Sequence, residues 1–205
     1  MAKIFFVYLA AIIISVSGCR QPLAYQPQDG DIIFQTSRSN QSQAIQKATH
    51  SKYSHMGVIF LLDGKPYVYE AVNTVQYTPL KEWIARGEGG RYVIKRLREA
   101  DRVLTSEAVA RLRKAAKQFQ GRPYDFTFAW SDDRIYCSEL VWKIYNRGIG
   151  VRIGRLQKLM DLDLSDAAVK AKAKERYGDH VPVEEAIISP GEMFSSRLLE
   201  VVDEH

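Results

Sequence analysis

Between Tyr53 and Val72 the chain carries its most sustained apolar signal. Tyr53-Ser54-His55-Met56-Gly57-Val58-Ile59-Phe60-Leu61-Leu62 is apolar at both phases of a two-residue period, which predicts a strand buried on both faces. Asp63-Gly64 is a strong hairpin signal, and Pro66 to Val72 reads as the return strand. Upstream, Asp29-Gly30-Asp31 marks a turn and Ile32-Ile33-Phe34 a short strand. Ser39-Asn40 predicts the cap of a helix running to about Thr49, with Ala44, Ile45 and Ala48 on its apolar face. Downstream, Pro79 opens a short helix over about Leu80 to Ala85, and Arg91 to Arg96 reads as a strand. Val109, Leu112, Ala116 and Phe119 recur at helical spacing, so Thr105 to Phe119 is a helix, stopped by Gly121-Arg122-Pro123. Tyr136 to Asn146 is another, with Leu140, Val141, Ile144 and Tyr145 inward and Gly148 and Gly150 at its end. A polar helix follows near Ser165 to Tyr177, and Glu184 to Val202 has no clear period. Strands first and helices later, around one small sheet, predict an α+β fold.

The first residues have a different pattern. Met1-Ala-Lys3 is a short positive segment, and Ile4 to Val16 is an apolar run too short to span a bilayer comfortably. Val16-Ser17-Gly18-Cys19 then resembles a bacterial lipobox. The expectation is a signal peptide over residues 1–18, lipidation of Cys19, a linker over 19–27 and a single domain over 28–205. Several acyl chains on Cys19 would anchor the protein to a membrane. Arg20 after the cysteine points to the outer membrane of a Gram-negative envelope and to its periplasmic face.

Composition changes this picture little. The chain has 205 residues, 46% apolar and 26% charged, without repeats or low-complexity tracts. Without Lys3 the balance is 28 basic against 24 acidic residues, a net +4. The basic residues are scattered rather than arranged in a stripe with aromatics, which argues against nucleic acid as a partner. The two cysteines are Cys19 and Cys137. With Cys19 lipidated, Cys137 stays unpaired in an oxidising compartment, where a leftover thiol is a liability unless buried or used. A Cys19–Cys137 disulfide is the alternative.

Cys137 falls at the predicted start of a helix. Partial positive charge and unpaired N–H groups there favour a thiolate and can receive an oxyanion. A small buried hydrophobe is an equally common role for a free cysteine. His55 begins the apolar strand, and Glu70 interrupts the return strand, where a carboxylate must be paired. With a two-residue loop at Asp63-Gly64, Leu62 opposes Lys65 and Gly57 opposes Glu70. His55 and Glu70 then share a face as diagonal neighbours, and Gly57 leaves room for the carboxylate to lean across. A three-residue loop would put them on opposite faces. The chemistry expected of the set is a nucleophile, Cys137, a base, His55, and an orienting carboxylate, Glu70. His50, His55 and Cys137 form a weak metal-ligand alternative, since no paired cysteine spacing exists; no metal and no cofactor are expected.

Gly121-Arg122-Pro123-Tyr124-Asp125 with Tyr136-Cys137-Ser138-Glu139-Leu140-Val141 is similar to the nucleophile region of the NlpC superfamily of papain-like cysteine hydrolases, and Tyr53-Ser54-His55-Met56-Gly57-Val58 resembles its histidine strand. The histidine precedes the cysteine, as in the circularly permuted, YiiX-like branch, and the resemblance spans most of residues 28 to 195. It implies a small antiparallel, barrel-like sheet packed against the cysteine helix. It also implies catalytic roles for Cys137, His55 and Glu70, and an oxyanion or substrate-lining role for Tyr124 and Tyr53. Glu139 stands where common members carry glycine, while Ser54 and Ser138 read as structural. The substrates implied are a peptide or cell-wall peptide stem cleaved at an amide bond, or a lipid acyl group, because the permuted branch resembles lecithin:retinol acyltransferase relatives. A non-catalytic envelope binding module is the third expectation.

Overall fold

The computed structural model describes residues 25–39 and 41–205. The expected signal peptide, Cys19 and most of the linker lie outside these residues. No helix among the described residues is long and apolar enough to cross a membrane.

The elements in chain order are β1 (Ile32–Gln35), α1 (Ser42–Thr49), β2 (His55–Leu62), β3 (Lys65–Ala71), β4 (Val75–Pro79), α2 (Leu80–Arg86), β5 (Val93–Leu97), α3 (Ala100–Val103), α4 (Ser106–Lys117), α5 (Cys137–Ile149), β6 (Gln157–Lys158), α6 (Ala167–Tyr177), β7 (Ala186–Ile187), α7 (Pro190–Phe194) and β8 (Leu199–Glu204). Six strands form one antiparallel sheet in the order β4-β3-β2-β1-β5-β8, and β6 pairs with β7 separately. The architecture is α+β, as the pattern predicts.

The hairpin sets the register. Asp63 and Gly64 both adopt positive φ, 49° and 74°. Such a two-residue turn matches the strand twist and places Leu62 opposite Lys65 and Val58 opposite Tyr69. Met56, Val58, Phe60, Tyr69 and Ala71 therefore bury one face against Leu140, Val141 and Ile144 of α5. Ile33, Ile59, Val68 and Ile94 bury the other against Trp83 of α2. Helix α4 lies on α5 at Gly148, where an added Cβ would sit 3.0 Å from the Leu112 Cα. The buried Tyr145 donates its hydroxyl proton to the Gly30 carbonyl, tying α5 to the turn before β1.

Several expectations shift. The helix over Ser39 to Thr49 starts at Ser42 and has no side-chain cap. By contrast, Thr105 caps α4 by accepting from the Ala108 N–H at 3.3 Å. β4 was not expected, because Val75-Gln-Tyr-Thr-Pro79 is half polar; it is an edge strand, and Pro79 sits where no ladder donor is needed. The unpatterned tail supplies β7, α7 and the other edge, β8.

Candidate active site

His55 opens β2 and Cys137 opens α5, so two elements packed on each other begin at one end of the sheet. Cys137 is 3% exposed. Tyr136 precedes it in extended conformation (φ −101°, ψ 167°), and its N–H points back to Glu139 Oε2 at 3.4 Å. The first N–H groups of α5 have no partner within the helix and lie beside the sulfur.

The imidazole has a neighbour on each side. Its Nε2 lies 2.6 Å from Glu70 Oε2, and Cys137 is near enough to raise the pKa of the ring. With Nε2 engaged by the carboxylate, Nδ1 is the nitrogen left for sulfur. Burial alone would lower the pKa of His55; the proximity of Cys137 and then the bond to Glu70 outweigh it and push the value up to about 9.

Glu70 is fully buried and saturated with donors. Its Oε1 accepts from the Thr78 hydroxyl at 2.6 Å and from Arg86, and its Oε2 accepts from Trp83 Nε1 at 2.9 Å. Burial would raise its pKa, but the His55 bond and charge, followed by Thr78 and Arg86, bring it down to about 2. The indole of Trp83 also stacks on the imidazole, with centroids 5.8 Å apart. Thr78, Trp83 and Arg86 were absent from the sequence expectations. A buried carboxylate in a strand demands donors, but which ones depends on β4 and α2 folding back over β3, and no local pattern announces that.

The two tyrosine candidates part ways. Tyr124 is 5% exposed, lies close enough to the sulfur for its hydroxyl pKa to be raised by burial and by Cys137, and accepts a hydrogen bond from Gln41 Nε2 at 3.0 Å. Its own proton remains free to donate. Gln41 Oε1 in turn accepts from Arg176 of α6 at 2.7 Å, so these three side chains bridge α1, the loop before α5, and α6. Tyr53 packs instead in an aromatic cluster, its ring centroid 5.9 Å from Phe34 and 4.1 Å from Phe194, and it lines neither cavity beside the site. Ser54 bonds Ser42 at 2.6 Å, and Ser138 donates to the Ile188 carbonyl at 2.8 Å; both hold the scaffold. Glu139 meets Lys143 Nζ at 2.7 Å, with both side chains buried. His50 is exposed and pairs with Asp163 at 3.3 Å, away from Cys137.

Two cavities flank the reacting pair. One, of about 90 Å³, touches Cys137 and is walled mainly by apolar groups, among them Ala44 and Ala48 of α1, Phe128, Leu162 and Val169, with Lys172 and Arg176 of α6 also on its lining. The second, of about 260 Å³, touches His55 and has a mixed lining. Tyr124 belongs to both walls. The aromatic stretch before α5 is thereby divided: Phe128 faces the first cavity and Phe126 the second, while Trp130 packs on Trp142 with centroids 5.4 Å apart.

An α+β fold with the histidine ahead of the cysteine is the arrangement that a permuted papain-like protein requires. The comparison with family models is direct: residues 26–203 match the permuted papain-like amidase enzymes of the YaeF/YiiX, C92 family, and the chain belongs to that family. It is similar to YiiX of Escherichia coli (strain K12), an uncharacterized protein, with 54% identity over 179 residues, 87% of each chain. It is also similar to the crystal structure of the metalloprotein yiiX from Escherichia coli O157:H7, with TM-score 0.85 and 53% identity over 88% of this chain and 99% of that one. Among the described residues here, no group of three or more His, Cys, Asp or Glu side chains is placed to hold a metal ion.

Proposed function

We propose that this protein is a cysteine-dependent amide hydrolase that works through an acyl-enzyme. The observation that carries the reading is His55, bonded to a buried carboxylate and lying close to a thiol at a helix N-terminus. Sγ of Cys137 attacks the carbonyl carbon, and the oxyanion forms beside the leading N–H groups of α5 with Tyr124 as a further donor. Glu70 holds the ring and keeps it charged, so His55 can pass a proton to the departing nitrogen and later take one from water. The barrel-like half-sheet and the cysteine helix of papain-type hydrolases are, in this reading, the two walls that bring imidazole and sulfur together.

The cavity beside Cys137 favours an apolar acyl group over a peptide or a cell-wall peptide stem. A peptide needs backbone partners along its length, whereas this wall is mostly apolar side chains from α1, α6 and the segment before α6, with Lys172 and Arg176 the charged groups among them. A lipid anchor on Cys19 would place such a site near its substrate at the periplasmic face of the envelope. The test is a chain-length series of N-acyl amides. Turnover should rise with apolar chain length, vanish in Cys137→Ala, and shift toward shorter chains in Ala48→Phe, which narrows the cavity. Preference for muropeptides with no response to Ala48→Phe would favour the peptide reading instead. Thiol reactivity no greater than that of a free cysteine would favour a binding module.

A further inference from the structure

We infer that the cavity on the His55 side is a leaving-group subsite for an anionic amine, read by Arg38. This rests on the acyl-enzyme reading above and adds the chemistry of the group released.

The two cavities are not equivalent with respect to the reaction. The apolar one touches Cys137 and not His55; the mixed one touches His55 and not Cys137. When the tetrahedral adduct collapses, the C–N bond breaks and its electron pair goes to nitrogen. The imidazolium proton must reach that same nitrogen, and the acyl group stays on Sγ. The departing amine therefore sits on the imidazole's side, and the acyl group on the sulfur's side.

The lining of the His55 cavity then states what the amine carries. Arg38, after β1, and Arg86, the last residue of α2, both line it, and no aspartate or glutamate does. Glu70 lies behind His55, fully buried, with His55, Thr78, Trp83 and Arg86 already upon it. Arg86 thus has its carboxylate. Among the described residues, Arg38 has no carboxylate within ion-pair distance. With His55 held as imidazolium, the cavity carries positive charge that its own walls do not neutralise. A guanidinium fork meets a carboxylate or a phosphate with paired N–H donors. The shared chemistry is an anion on the leaving amine: the carboxylate of an amino acid or the phosphate of a headgroup.

Two thiol reagents of nearly equal size separate this proposal from the reading beneath it. Iodoacetate carries a carboxylate and iodoacetamide a neutral amide. The full-length chain is alkylated with each, and modification is followed by mass on the peptide bearing Cys137. The ratio of the two rates, divided by the ratio for glutathione, should favour iodoacetate by about tenfold, as expected for a charge-assisted contact. It should fall by a similar factor in Arg38→Glu and recover in Arg38→Lys. Protection from iodoacetamide by acetate would name a carboxylate, and by inorganic phosphate a phosphate; loss of that protection in Arg38→Glu supports the subsite. Fast alkylation by both reagents, with a ratio equal to that of glutathione and unmoved by Arg38→Glu, overturns the subsite and leaves the nucleophile standing. Alkylation no faster than glutathione with either reagent overturns the nucleophile and the subsite with it.

Discussion

His55 Nε2 lies 2.6 Å from Glu70 Oε2, although fifteen residues separate them and they sit on different strands. The contact exists because the turn at Asp63-Gly64 has two residues, which puts both side chains on the face covered by α2. One more residue in that turn would move Glu70 to the face covered by α5.

Replacing Glu70 tests what this contact does to the ring. In Glu70→Gln the pKa of His55 should fall from about 9 toward its ordinary 6.5, because a charged acceptor becomes a neutral one. The alkaline limb of the pH–rate profile moves down with it, and turnover at neutral pH drops by roughly 100-fold. The pH dependence of kcat/KM for wild type and variant is the measurement. An unmoved limb would mean that the carboxylate does not set the protonation of the ring.

Much of this was legible in the sequence, for identifiable reasons. The apolar run from Met56 to Leu62 left little choice but a buried strand, and Asp63-Gly64 fixed its register with Lys65 to Ala71. Glu70 stood out because a carboxylate amid Val68, Tyr69 and Ala71 has to be explained. What stayed hidden depends on packing at a distance. The donors on Glu70 come from β4 and α2, and the Arg176–Gln41–Tyr124 bridge joins side chains up to 135 residues apart. Tyr53, placed near the site by its neighbourhood to His55, lies before β2 begins, outside the strand alternation, and packs into the Phe34 and Phe194 cluster.

Stability should depend on pH at both ends of the scale. The folded pKa of His55 is raised to about 9, so its contribution is complete below 6.5 and is lost as pH rises through 9. The folded pKa of Glu70 is lowered to about 2, so its contribution is complete above 4.5 and is lost as pH falls through 2. Urea unfolding as a function of pH should show the alkaline decline, and His55→Ala should flatten it between 6.5 and 9. An equal decline in the variant would assign it to other groups.

Gly57 permits the close passage of β3. A Cβ there would lie 2.4 Å from Val68 Cγ1, 2.8 Å from the Tyr69 carbonyl oxygen and 3.4 Å from Glu70 Cβ. The squeeze falls mainly on Val68 and the Tyr69 backbone, and only secondarily on the carboxylate. Gly57→Ala should destabilise the fold by about 1–3 kcal/mol, as overpacking does, and lower turnover by shifting Glu70. Equilibrium denaturation and kinetics on the same preparation check both; unchanged stability would show that the hairpin relaxes freely.

The central claim is that His55 acts on the sulfur of Cys137. The rate of iodoacetamide alkylation at Cys137 near neutral pH, followed by mass on its own peptide in wild type and in His55→Ala, tests it most directly. The account predicts that Cys137 in the wild type reacts faster than glutathione and that the advantage disappears in the variant. Equal rates in the two proteins would contradict it.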